Sequence, residues 1–526
     1  MFVSICLALL CYNAAGYTMK TEMLPGEKWW GGTDRPDTWK INGTKTVPYD
    51  NASEVSILLT EENYGNHAVP FLVSSKGRYI WSEKPFDIRI SGGSIVAEGS
   101  GRIDVVQAGA TLKDAYQAAA RWHFPSDGTI PPEEFITRPQ YNTWIELIYN
   151  QNQKDIIAYA ESIIANGFPA GGVLMIDDNW QKYYGNYEFK PDRFPDPKAM
   201  CDRLHELGFK VMLWVCPFVS PDSPEYRILR QKGLLMTDKE SEEPAIVLWW
   251  NGRSAQYDMS NPATREYVIS TLKGVQAAYG VDGFKFDAGD SRRSLEKDLT
   301  VYDGKSYGEE QTRLWAELGL VFPYNEFRAA WKMGGKPLVF RLADKEYSWE
   351  GVGKLLPDMI SAGITGHQCV CPDMIGGGEF TTFLDVDPEK FNQELIVRSC
   401  QIHALMPMMQ FSVAPWRILS KENTDICRRA AELHCELGPY LIEQARKSDP
   451  LVRPMDYSFP GEGFESCVDQ YMLGDKYLVA PMTVSGTVRD VKLPKGVWYD
   501  ETGRRYRGGR TYTIDVPLDR IPVFHR

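Results

Sequence analysis

The chain has 526 residues, 43% of them hydrophobic and 24% charged. That is enough apolar material for several cores, which excludes the disordered and fibrous classes. A formal charge of −12 gives no basis for binding a phosphate backbone, which needs clustered Lys and Arg, so no nucleic-acid partner is expected.

The first 16 residues, MFVSICLALLCYNAAG, combine an apolar run with a small-residue end but lack a basic start. They are too short to span a bilayer, and no later run approaches the length of a membrane span. Residues 1–16 are expected to be a signal segment, which would make the protein exported (periplasmic, cell-surface or secreted). Without a signal it would be cytoplasmic. From 17 to 135, short alternating runs such as VSILLTEE, VPFLVSS, RYIWSE and FDIRISGGSIVAEG are separated by Gly, Asn and Ser turns. This rhythm predicts an N-terminal antiparallel β-sandwich.

From 136 to 440 apolar strand-like runs alternate with helical stretches. The runs are TWIELIY (143–149), GVLMIDDNW (172–180), KVMLWVCPF (210–218), DGFKFDAG (282–289), PLVFRLAD (337–344), ITGHQCV (364–370) and ALMPMMQFS (404–412). Repeated βα units of this length predict an α/β fold with a parallel sheet inside and helices outside, and their number favours a (β/α)₈ TIM barrel. From 441 to 526 the β rhythm returns with Gly/Pro turns, as in QYMLGDKYLVAPM and GTVRDVKLPKGVWYD, and predicts a C-terminal β domain. The ten Cys are sparse and none is spaced like a zinc-binding arm, so they are read as free thiols, and no metal or cofactor is expected.

Barrels of this kind do their chemistry where strands end. Asp177 and Asp178 end one run, Asp287 another with Asp290 just after, and Asp344 a further one, while Trp180, Trp214, Trp250 and Trp349 lie near the same rim. Carboxylates and Trp, with no Ser/His pair and no Gly-rich phosphate loop, suit a sugar substrate, because paired carboxylates drive glycoside hydrolysis. The competing reading of each Asp is a helix N-cap. Period-2 alternation points Lys285 and Asp287 into the barrel together. A cation there needs a partner or a substrate, so a structural ion pair is the alternative for Lys285. His403 reads as a packed core residue.

These residues resemble glycoside hydrolase family 31 along nearly the whole chain: PFLVSSKGRYIW, GVDGFKFDAG, LVFRLADKEYSW, CPDMIGGG, LMPMMQFSVAPWR, DPLVRP and LPKGVWYD. The resemblance implies a retaining exo-α-glycosidase, with Asp287 in KFDAGD as nucleophile and Asp344 in RLADKEYSW as acid/base. Asp344 is assigned by the pattern of one branch, since the WxGD motif of the better-known α-glucosidases is replaced here by WEG followed by Val352. Arg341 matches a substrate-contacting Arg, Trp250 in WWNG the Trp of a WPG motif, and Asp373 in CPDMIGGG joins the substrate-binding set with Trp180 and Trp214. The family's PxxRxH His is absent; Gln410 lies in that region. IDDNW is similar to the IDDGW of α-galactosidases from a related clan, where paired Asp hold O4 and O6, and Lys285 resembles that clan too. An α-galactoside is therefore the favoured substrate, with Asp177 and Asp178 reading the sugar. The alternatives are an α-glucosidase, an elimination-type lyase using the same nucleophile, and a non-catalytic sugar-binding protein on the same fold. Asp344 is expected to be kept protonated by burial or by nearby negative charge.

Overall fold

The computed structural model describes residues 9–13, 16–33, 42–43, 47–59, 67–290 and 298–526. Most of the expected signal segment lies outside the described residues; Leu9–Asn13 forms a strand paired antiparallel with Gly16–Glu22. Among the described residues no helix is long and apolar enough to cross a membrane.

At the centre, eight parallel strands follow one another in chain order. They are β1 (Gln140–Asn142), β2 (Val173–Ile176), β3 (Lys210–Val215), β4 (Gly283–Phe286), β5 (Tyr324–Phe327), β6 (Phe340–Arg341), β7 (Val370–Cys371) and β8 (Gln410–Phe411). Each pairs with the next as far as β7, and β8 pairs back onto β1 through Gln140 and Gln410. The last gap is bridged just beyond β7, between Ile375 and Phe411, so the sheet is a nearly closed barrel. β2 and β4 are buried along their whole length, as expected for strands with a packed interior on one side and helices on the other.

Helices separate most of the strands, and their starts are local chemistry. Asn152, Asp196, Asn261, Ser348 and Ser420 each accept a backbone N–H at a helix N-terminus. The connection from β5 to β6 departs from the pattern. It carries no helix; instead Ala330–Trp331 joins a sheet of the N-terminal domain, pairing in parallel with His67 and Ala68. The barrel is thus closed on that side by the sandwich.

The N-terminal domain has the two expected sheets, one of six strands and one of five. It also holds a helix, Leu112–His123, where β structure was read. Its apolar positions 112, 115, 116, 119 and 120 are buried at helical spacing, and Thr111 with Asp114 forms a capping box. Two further strand assignments change. TWIELIY contains a short helix, Trp144–Leu147, after the first strand, and β5 was not read at all, so Asp344 follows the sixth strand rather than the fifth. The C-terminal domain has a six-stranded and a two-stranded sheet around its own core, which includes Phe464, Met472, Trp498 and Phe524. Of the eight Cys from Cys201 to Cys467, six are buried, and all eight are free.

Candidate active site

The C-terminal strand ends open onto a cavity of about 300 Å³ lined by Trp144, Tyr149, Asp177, Asp178, Trp214, Trp250, Lys285, Asp287, Arg328, Arg341, Asp344, Met374 and Gly378. Eight of the ten residues expected at the site lie on this wall. The capping alternative fails for Asp177, Asp178 and Asp344. After β2 the chain makes a hairpin (Gln181–Tyr183 with Asn186–Phe189), and the next helix is capped by Asp196. The helix after Asp344 is capped by Ser348.

Asp287 leaves the end of β4 into a sharp turn, with Ala288 at φ 54° and Gly289 at φ 82°. A left-handed Ala costs about 1 kcal/mol, a strain that functional sites retain. The turn lets the Ala288 N–H donate to Asp287 Oδ1 at 2.8 Å, while Trp214 Nε1 donates to Oδ2 at 2.8 Å. Trp214 was expected to bind substrate. It is fully buried, and its indole N–H holds Asp287 instead. Burial pushes the Asp287 carboxyl up, but the charges of Lys285, Arg328 and Arg341 together outweigh it and hold the group below its ordinary range. Asp287 is an oriented carboxylate, the form a nucleophile needs.

Lys285 Nζ donates to Asp177 Oδ2 at 2.7 Å, and both side chains are buried. The ion-pair reading of Lys285 therefore holds, on the cavity wall. Asp178 behaves differently. Its Oδ2 accepts from Asn251 Nδ2 at 2.6 Å and from the Tyr184 hydroxyl at 3.3 Å, while Oδ1 has no hydrogen-bond partner among the described residues. Burial, and then the neighbouring Asp177, push this carboxyl up to about 7.

Arg341 is fully buried and serves three carboxylates: Asp344 at 2.5 Å, Asp373 at 3.4 Å and Glu326 at 3.6 Å. The expectation that Asp344 is kept protonated is overturned. Its side chain is 43% exposed, and although desolvation raises its carboxyl, Arg341, Arg328 and Lys285 outweigh that and hold it well below the usual carboxylate range. The raised carboxyl is that of Asp373 behind it, pushed up by burial and by the charge of Asp344. Asp373 is not on the cavity wall; it accepts from the backbone N–H groups of Lys345 and Met374. Trp180 is also displaced from the expected site. It is buried under the wall, donating from Nε1 to the Trp214 carbonyl at 2.7 Å. Trp349 is only partly buried, at the start of a helix. His403 is a core residue, its ring nitrogens against the carbonyls of Ser399 and Asp373.

Four contributors were missed by sequence reasoning. Arg328 follows β5; Trp144 and Tyr149 come from the β1 loop; and Asn251 sits at the tip of a hairpin that carries Trp250 over the cavity. Trp250 is 43% exposed, and the Arg328 guanidinium lies over its ring, 4.9 Å from the centroid.

Comparison with known proteins agrees with this barrel. Residues 139–444 match the glycosyl hydrolases family 31 TIM-barrel domain and residues 448–526 the glycosyl hydrolase family 31 C-terminal domain. The chain belongs to glycosyl hydrolase family 31. It is 31% identical over 425 residues to the myogenesis-regulating glycosidase of Mus musculus, a match that covers 78% of this chain and 59% of the mouse protein. It is 25% identical over 560 residues to an alpha-xylosidase of Emericella nidulans, covering 98% of this chain and 68% of the relative. In fold it is similar to a GH31 alpha-xylosidase from a soil metagenome solved with xylose, with a TM-score of 0.82 and 22% identity, over 99% of this chain and 81% of that one. A GH31 dextranase of Flavobacterium johnsoniae, solved with glucose, gives a TM-score of 0.82 at 18% identity, over 98% and 67% of the two chains.

Proposed function

We propose that this chain is a retaining exo-α-glycosidase that favours terminal α-galactosides, with Asp287 as nucleophile and Asp344 as acid/base. The observation that carries the reading is the state of Asp287: at a strand end, held from both oxygens and kept ionised by three cations on a cavity wall. In the first step its carboxylate forms a bond to the anomeric carbon as the bond to the leaving oxygen breaks and Asp344 delivers a proton to that oxygen. In the second step Asp344 takes a proton from water, whose oxygen displaces Asp287 and restores the sugar hydroxyl.

The Arg341–Asp344 contact suits the second step, in which Asp344 is a base. For the first step the carboxyl must carry a proton. Arg341 can release it because Asp373 and Glu326 already stand within 3.4 and 3.6 Å of the guanidinium as alternative partners. The preference for galactose rests on Asp178, a residue of the cavity wall whose Oδ1 has no hydrogen-bond partner among the described residues and would accept from an axial hydroxyl. A site built to bond a hydroxyl rejects sugars that place it elsewhere.

The test is a panel of aryl α-glycosides (galactose, glucose, xylose, N-acetylgalactosamine) with the purified protein and with Asp287→Asn. The expected result is fastest turnover of the galactoside and loss of nearly all turnover in the variant. A faster α-glucoside would defeat the galactose reading while leaving the mechanism in place. An unsaturated product would assign the lyase reaction instead.

A further inference from the structure

Arg341 uses its donors unevenly. Its Nη1 donates to the Leu342 carbonyl at 3.1 Å and to Asp344 Oδ1 at 2.5 Å, with Asp373 Oδ1 at 3.4 Å. Its Nε is buried and has no hydrogen-bond partner among the described residues. Glu326 Oε1 lies 3.6 Å from that Nε, and it too is buried without a hydrogen-bond partner among them. Two opposite charges closed off from water thus stand about 0.7 Å short of a hydrogen bond. A buried ion pair is costly while its hydrogen bonds are incomplete.

Glu326 is held in place to receive that bond. It pairs in register with Lys285 between β5 and β4, and its Oε2 accepts from Gln410 Nε2 on β8 at 2.7 Å. Burial pushes the Glu326 carboxyl up; Arg341, Lys285 and the Gln410 hydrogen bond act against it, and Asp177 adds to the rise. Cys371 on β7 faces the same group, its thiol pushed up by burial and then by Glu326. Of the two cations, Lys285 already serves Asp177, which leaves Arg341. Asp373 is placed differently. It meets the nitrogen that serves Asp344, and it already accepts from the backbone N–H groups of Lys345 and Met374.

We propose that Glu326 is a positioning residue for the acid step, the second seat of the Arg341 guanidinium when Asp344 carries its proton. This assignment rests on the glycosidase reading above. With Asp344 ionised, the guanidinium sits on it and the carboxylate is ready to act as a base. Once Asp344 is protonated its charge is gone, and Arg341 shifts by less than about 1 Å so that Nε donates to Glu326 Oε1. The shift draws the cation away from Asp344 and so weakens the charge that opposes its proton. Glu326 does this from beneath the site, since it is buried and does not line the cavity.

The first arm of the test is a crystal structure of Asp344→Asn, whose amide has the shape of the protonated acid and no charge. The expected result is Arg341 Nε within about 3.0 Å of Glu326 Oε1. A guanidinium that stays on residue 344, or settles on Asp373, would overturn the assignment. The second arm compares methyl with 2,4-dinitrophenyl α-galactoside, and the corresponding glucosides, on the wild type and on Glu326→Gln. Gln keeps the shape and an acceptor for Gln410 but carries no charge for Arg341. Methyl glycosides need a protonated acid, so their kcat/KM is expected to fall about 10-fold, equivalent to about one unit in Asp344. The dinitrophenyl glycosides, whose leaving group needs little protonation, are expected to change less than about threefold. Equal losses on both classes, or no loss on either, would overturn the assignment, because a merely structural residue does not distinguish leaving groups. If Arg341 moves onto Glu326 but the wild type turns over none of the four glycosides, the hydrolase reading falls and Glu326 stands as the second partner of Arg341. If turnover is present and Arg341 does not move, the reverse holds.

Discussion

Two carboxyls whose proton affinities are raised set the pH behaviour of the site, one on its wall and one behind it. Asp178 is pushed up to about 7, above the value near 4 of an unfolded chain. The folded state therefore holds this proton more tightly, so its contribution to stability falls as pH rises between about 4 and 7 and the full penalty of the ionised form is present above that. Asp178→Asn removes the charge and keeps the acceptor. It is expected to raise stability at pH 8 by about 1–3 kcal/mol, with the gain shrinking toward pH 5 in thermal melts. Asp178→Ala, in contrast, is expected to reduce α-galactoside turnover more than α-glucoside turnover; equal losses would argue against a role in reading the sugar. Asp373 competes with Asp344 for Arg341. Asp373→Asn removes a like charge near Asp344 and leaves Arg341 more fully with it, so Asp344 loses its proton at lower pH. The alkaline limb of the kcat/KM profile should move down by about a unit for substrates with poor leaving groups. An unmoved limb would argue that Asp344 is not the acid.

At the scale of elements, the loop after β7 fixes where Asp344 can be. A Cβ on Gly378 would lie 2.2 Å from Asp344 Oδ2, and the Gly378 carbonyl accepts from Trp144 Nε1 at 2.8 Å, which holds the loop in place. The clash falls on the far end of a half-exposed side chain, which swings away at little cost. Gly378→Ala is therefore expected to keep its melting temperature within a few degrees and lose about 100-fold in turnover, since a displacement of about 1 Å is enough for that. β2 and β4 were legible in the sequence because each is an apolar run stopped by Asp, and the same pattern gave Asp177, Asp178 and Asp287. β5 was not. Its interior positions are Asn325, whose Oδ1 accepts from the Val339 N–H, and Glu326, which accepts from Gln410 Nε2 at 2.7 Å, so the strand reads as polar. Arg328 was lost with it. Trp180 and Trp214 were read as substrate-binding residues because Trp near a strand end carries no sign of whether its ring faces in or out. Asn251 and Tyr149 reach the cavity from loops, and only tertiary structure brings them there.

At the scale of the molecule, the sandwich and the barrel share one continuous core that also takes in Leu451, Val452, Tyr471, Leu473 and Val479, whereas the rest of the C-terminal domain has a second. Part of the joint between barrel and C-terminal domain is polar. Arg398, fully buried on the helix Gln393–Ala404, donates to the carbonyls of Gly486, Val516, Pro517 and Arg520. Arg398→Met would leave these acceptors unserved, at a cost of about 2–4 kcal/mol. In calorimetry the C-terminal domain should then melt as a separate earlier transition; a single unshifted transition would show that the apolar contacts suffice. On the opposite side, the strand Ala330–Trp331 has a consequence for how the fold tolerates change in chain length. Most loops around the cavity mouth lead into helices and can lengthen outward into solvent. The segment from Phe327 to Ala330 is pinned at both ends, to the barrel by pairing with Phe286 and Phe340 and to the sandwich by pairing with His67. An inserted or deleted residue there has nowhere to be absorbed: it shifts one pairing by a position, reverses which side chains face inward, and takes Arg328 off the wall. Residues at this point can be exchanged, but their number cannot.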